Sequence, residues 1–87
     1  MHVLYSGHVQ GVGFRYAVRT LAAGFEVTGT VRNLSDGRVE LTAEGQQKEL
    51  ESFRKAIQEA GLASNIRHEE ATWDAPQGGF KGFAIER

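Results

Sequence analysis

Along the chain, apolar positions recur at a period of two in some stretches and near 3.6 in others. From about residue 2 to residue 9, Val3, Tyr5, Gly7 and Val9 share one face, as in a strand with one buried side. Phe14, Ala17, Val18 and Leu21 then recur at helical spacing, and Ala22 and Ala23 add helix propensity. Gly24 stands where a left-handed C-terminal cap belongs, so the spacing predicts a helix from Phe14 to Ala23. The period of two returns after Phe25: Val27, Gly29, Val31 and Asn33 face one way, Glu26, Thr28, Thr30 and Arg32 the other. Leu34-Ser35-Asp36-Gly37 is a tight-turn signal, and Val39, Leu41 and Ala43 then alternate with Glu40, Thr42 and Glu44 up to Gly45. Leu50, Phe53, Ile57 and Ala60 predict an amphipathic helix from about Gln47 to Glu59, stopped by Gly61, with its charges on a solvated face. A fourth strand is expected from Ile66 to Trp73. Pro76-Gln77-Gly78-Gly79 breaks it, and a short last strand covers Lys81 to Ile85 with Phe83 and Ile85 inward. Trp73, Phe80 and Phe83 read as core or sheet-covering residues.

The order β-α-β-β-α-β, followed by a short strand, predicts a ferredoxin-like α+β sandwich: a mainly antiparallel sheet with two helices on one face. No internal repeat, linker or low-complexity stretch divides it, so residues 1–87 are expected to form a single domain. In this topology the first two strands run parallel with the third between them, so their C-terminal ends lie on one edge of the sheet. The first leads into Gly7-His8-Val9-Gln10-Gly11-Val12-Gly13-Phe14-Arg15, and the second ends at Asn33. Two inter-strand spacings amount to about 10 Å, a gap that a loop, an arginine side chain and an amide can close. Arg15 and Asn33 are therefore expected to share a pocket although 18 positions separate them.

Three glycines within seven residues, placed before a helix, expose backbone N–H groups at a helix N-terminus, where the dipole also favours negative charge. Arg15 adds a fixed cation with a planar donor fork. This is the composition of an anion cradle, and it is neither a Walker loop nor the dinucleotide-binding glycine pattern. Ten basic against eleven acidic residues leave a net charge of −1, so anion recognition must be local rather than the work of a basic field. The absence of cysteine removes disulfides, a thiolate nucleophile and thiolate metal ligands, and His2, His8 and His68 show no metal-ligand spacing. Asn33-Leu34-Ser35 matches a glycosylation sequon, read as chance without a secretory signal. No apolar run approaches the roughly 18 residues that span a bilayer. With no basic-then-apolar leader at the start, the expectation is a cytoplasmic protein without membrane association.

A guanidinium, backbone donors and a neutral amide can bind a phosphoryl group and hold a water beside it. That suffices for phosphoryl transfer when the leaving group is already good, as the carboxylate of an acyl phosphate is. The residues 7–15 quoted above resemble the first signature of the acylphosphatase family. Gly29-Thr30-Val31-Arg32-Asn33, with Gly37-Arg38-Val39 and Gly45, resembles its second, and Phe80-Lys81-Gly82-Phe83-Ala84-Ile85 is similar to its closing strand. The resemblance implies a monomeric, metal-independent enzyme without cofactors that hydrolyses acyl phosphates to a carboxylate and inorganic phosphate. Arg15 would bind the phosphate, Asn33 would position the attacking water, and the backbone of Gln10, Gly11, Val12, Gly13 and Phe14 would form the phosphate loop. Two positions depart from the family's pattern, Tyr5 for an aliphatic residue and Thr30 for an aromatic one, and both predict altered packing on the strands. Two other readings use the same fold class: a non-catalytic anion-sensing domain, and a nucleic-acid-binding module. Lys81-Gly82-Phe83-Ala84-Ile85 echoes an RNA-recognition signature, but near-neutral charge and a place at the end of the chain argue against nucleic acid as a partner.

Overall fold

A computed structural model describes residues 1–61 and 63–86. The elements run β1 (His2–Gly7), α1 (Phe14–Ala22), β2 (Val27–Asn33), β3 (Val39–Gly45), α2 (Gln47–Glu59), a single 3₁₀ turn (Ala63–Asn65), β4 (Ile66–Thr72) and β5 (Phe83–Glu86). The strands form one sheet in the order β4-β1-β3-β2-β5. Pairings β1–β3, β1–β4 and β2–β3 are antiparallel, and only β5 joins in parallel, alongside β2. With β3 inserted between them, β1 and β2 point the same way, as the expected α+β sandwich requires.

Alternation decides which side of each strand is buried. Val3 and Tyr5, Val27 and Val31, and Val39, Leu41 and Ala43 form a continuous core with Phe14, Val18 and Ala22 of α1 and Leu50, Phe53 and Ile57 of α2. Phe53 holds its centre: its ring lies 5.7 Å from Phe25 and 5.7 Å, edge-on, from Phe83. The alternate residues of β1, β2 and β3 lie on the open face. There, Glu40 accepts from His2 Nε2 at 2.9 Å and from Arg32 Nε at 2.6 Å, and these bonds hold its carboxyl below the usual glutamate range.

Gly29 is required where it stands. Its φ of 152° disfavours any side chain, and a Cβ there would come within 1.9 Å of the Thr42 carbonyl oxygen on β3. The close approach of β2 to β3 thus depends on a missing side chain, while the Gly29 N–H donates to Gly82 O at 2.9 Å beside β5.

The two departures from the family pattern take different courses. Tyr5 is wholly buried with its ring 5.1 Å from Phe14. Its hydroxyl, like Glu69 Oε2, is a buried oxygen with no hydrogen-bond partner among the described residues. Burial and the Glu69 carboxylate push the ionisation of that phenol well above its usual range. Thr30 belongs to the open face and pairs with Thr42, so its small size leaves no void in the core.

Three expectations need correction. Gly24 is not left-handed: α1 ends through Gly24 N–H to Leu21 O at 3.0 Å, whereas α2 does stop before Gly61, with Ala60 in an extended conformation. Trp73 is 44% exposed and lines a surface cavity beside Met1 and Leu50 rather than lying within the core. The charged face of α2 is not wholly solvated either, because half-buried Arg54 donates through Nε to Glu69 of β4 at 2.8 Å, and Glu49 accepts from the Glu26 N–H at 2.9 Å.

Candidate active site

The segment between β1 and α1 is pinned at both ends by buried side chains, Val9 and Phe14, and half-buried Val12 packs against the same core between them. Gly11 and Gly13 have φ of 76° and 81°, a left-handed conformation that turns the chain sharply into α1. Gly13 is the residue that precedes the helix, and no side chain caps it. Backbone bonding resumes with Ala17 N–H to Gly13 O at 3.0 Å. The N–H groups from Gln10 to Arg15 donate to no other backbone group among the described residues. The first turn of α1 holds no acidic residue, so no carboxylate competes for this cluster of donors.

Arg15, the second residue of α1, is half-buried and forms no salt bridge among the described residues, whereas Arg32, Arg38 and Arg54 are each engaged with a carboxylate. The charge placed beside the loop is therefore not spent on a structural ion pair.

Asn33 closes β2. Tyr5 and Asn33 both pair with Val39, from opposite sides of β3, so Tyr5, two residues before the end of β1, and Asn33, the last residue of β2, stand in one row across the sheet. The loop after β1 and the Asn33 amide accordingly belong to the same edge. The Asn33 side-chain oxygen is buried and accepts no hydrogen bond among the described residues. An acceptor in that state costs on the order of 1–3 kcal/mol when nothing donates to it, so its place in the fold calls for a donor.

One contact joins the two halves directly, and the sequence reading missed it. The Gln10 side chain reaches the hairpin that follows Asn33, where Nε2 donates to Leu34 O at 2.7 Å and to Arg38 O at 2.9 Å. Gln10 was expected to act through its backbone alone. The available signal was a lone amide side chain, next to buried Val9, with only glycine and valine between it and α1.

A guanidinium, a set of free N–H donors and an amide oxygen can bind a phosphoryl group and orient a water. Among the described residues, no three His, Cys, Asp or Glu side chains gather as a metal-binding group. A cavity of about 440 Å³ lies at the opposite end of the sheet, lined by Met1, Glu44, Leu50, Trp73, Gln77 and Phe80, away from Arg15 and Asn33. Among the described residues, no helix is long and apolar enough to cross a membrane.

Comparison with known proteins finds the same architecture and sequence pattern. The family model described as Acylphosphatase matches residues 1–85. The acylphosphatase of Salinibacter ruber is 42% identical over 82 residues, which is 94% of this chain and 86% of that protein. The crystal structure of acylphosphatase from Bacillus subtilis superposes with a TM-score of 0.90 at 36% identity, covering 99% of this chain and 96% of that one. A crystal structure of HypF from T. kodakarensis matches with a TM-score of 0.83 at 30% identity, covering 99% of this chain but 11% of that much longer one.

Proposed function

Because this chain belongs to the acylphosphatase family, we propose that it hydrolyses the carboxyl–phosphate bond of acyl phosphates with Arg15 and the Gln10–Phe14 loop as the phosphate cradle and Asn33 as the holder of the attacking water. The observation that carries the assignment is the buried, unpartnered Asn33 oxygen at the sheet edge shared with the uncapped N-terminus of α1. Water donates to that oxygen. Its own lone pair is thereby aimed at a phosphorus whose oxygens rest on the loop N–H groups and the Arg15 guanidinium.

The reaction balances without a protein nucleophile. Water oxygen bonds to phosphorus, the bond from phosphorus to the acyl oxygen breaks, and the carboxylate leaves with the electron pair. Substrate dianion and water give carboxylate and H₂PO₄⁻, so the charge is −2 on both sides. A neutral amide cannot take a proton at ordinary pH, hence the water protons pass to phosphoryl oxygens. The leaving carboxylate has a conjugate-acid pKa of about 4 to 5 and needs no general acid. What remains for the protein is orientation and charge stabilisation. A phosphate monoester offers no such leaving group and is not expected to react.

The single continuous core supports treating residues 1–87 as one domain, and the same proposal has it act as a cytoplasmic monomer, in keeping with the absence of cysteine. Acetyl or benzoyl phosphate should be hydrolysed at an undiminished rate in the presence of a chelator, with inorganic phosphate as a competitive inhibitor. Absence of turnover by folded protein would contradict the enzymatic reading, and non-competitive phosphate would remove the cradle from the site. Asn33→Ala should lower kcat by at least about 100-fold, the scale of losing one oriented transition-state group. A kcat that survives the change would take the water-holding role away from Asn33.

A further inference from the structure

The amide of Gln10 is the direct tie between the phosphate loop and the strand end that carries Asn33. Both of its partners are carbonyl oxygens, which only an NH₂ group can satisfy, so the orientation of the amide is settled and both of its hydrogens are used. Leu34 O belongs to the residue immediately after Asn33. Arg38 O also accepts the Leu34 N–H at 2.8 Å, so the bond that closes the hairpin and the bond from Gln10 converge on one oxygen. The contacts span 24 and 28 residues of sequence and are partly shielded from solvent.

We propose that Gln10 is a positioning residue for hydrolysis: its side chain sets the distance between the cradled phosphate and the water held by Asn33. This rests on the reading of Asn33 given above and assigns a role to a side chain hitherto credited only with a backbone N–H. The loop itself has little stiffness, since two of the four residues from Gln10 to Gly13 are glycines. Its apolar contacts, buried Val9 and Phe14 with half-buried Val12, tie it to the core, and the hydrogen bonds of Gln10 tie it to the hairpin. Without the Gln10 bridge, the cradle keeps its donors and its arginine and still binds phosphate. It loses its fixed separation from Asn33, so the attack line of the water spreads over many geometries. Rate depends steeply on that separation, whereas anion affinity does not.

The test is a double-mutant cycle on the whole chain with acetyl phosphate as substrate and inorganic phosphate as inhibitor. Gln10→Met keeps the length of the side chain and removes both donors. It should lower kcat by about 10-fold while the inhibition constant of phosphate changes by less than about twofold. In the Asn33→Ala background the same substitution should have no further effect on kcat, because there is no oriented water left to misplace. An equal loss of kcat with and without Asn33 overturns the proposal, as does weakened phosphate inhibition with kcat retained. If Asn33→Ala alone leaves kcat intact, the water-holding assignment falls and this proposal falls with it. If kcat depends on Asn33 but is indifferent to Gln10→Met, only the positioning role is lost. One measurement is independent of how the variants fold: in the unmodified protein, both Gln10 side-chain amide protons should exchange slowly with solvent, and fast exchange of the pair would refute the bridge.

Discussion

Arg15→Ala is expected to cut kcat/KM for acetyl phosphate by at least about 1,000-fold, the scale on which a phosphoryl-stabilising arginine acts, and to leave thermal stability nearly unchanged. Both halves of the expectation come from the surroundings of the residue. Arg15 is half-buried and makes no salt bridge among the described residues, so its removal breaks no structural pair. Alanine is also an excellent residue for the first turn of α1. The loss is confined to the charge that the proposed phosphate cradle needs. Arg15→Lys should recover only a small part of it, because an ammonium is a point charge and cannot present the two parallel donors of a guanidinium. Steady-state kinetics beside a melting curve separates the outcomes. Activity retained by the alanine variant would mean that another cation serves the phosphate.

Gly29→Ala should do the opposite and remove the fold. The added methyl carbon would lie 1.9 Å from Thr42 O and 2.8 Å from the Ala43 Cα, both backbone atoms of the neighbouring strand, at a φ of 152° that alanine avoids. Relief requires prising β2 from β3 in the middle of the sheet. A cost above about 4 kcal/mol is expected, against a total stability of roughly 5–15 kcal/mol for a domain. Urea titration should show a much lower midpoint or no folded baseline. A midpoint within error of the parent protein would show that the two strands can part locally without loss. Activity in this variant should follow the folded fraction, in contrast to Arg15→Ala.

Much of this arrangement was legible in the sequence, for identifiable reasons. Val27, Val31, Val39 and Leu41 alternate cleanly because one side of the sheet is covered and the other is open, and that alternation fixes both strands and their register. Strand order then places the end of β1 and Asn33 on one edge, a deduction that needs no side-chain detail. The features that escaped depend on what the chain meets in three dimensions. Gly24 follows Ala23 in a right-handed conformation because the chain leaves α1 through a 3₁₀-type bond and turns directly toward β2. Arg54 reads as solvated in any helical projection, yet edge strand β4 brings Glu69 up beside α2. Trp73 lies just beyond the end of β4 on the wall of an open cavity, which leaves it 44% exposed. The reach of Gln10 to Leu34 and Arg38 is a rotamer-level fact with no signature in hydropathy.

The placing of β4 and β5 at the two margins of the sheet bears on how the enzyme comes into being. Gly7, the last residue of β1 before the proposed cradle, is paired with Ile66, and Gly29, on the strand that leads to Asn33, is paired with Phe83. Each half of the proposed site is thus framed by a stretch of polypeptide synthesised far later, and closing such large loops exacts entropy before any contact rewards it. A nascent or half-folded chain holds the signature residues but not their spacing. On the proposed site, activity is therefore expected to appear late in folding, since a half-folded chain that lacks either marginal strand leaves the cradle or the strand that carries Asn33 unsupported on one side.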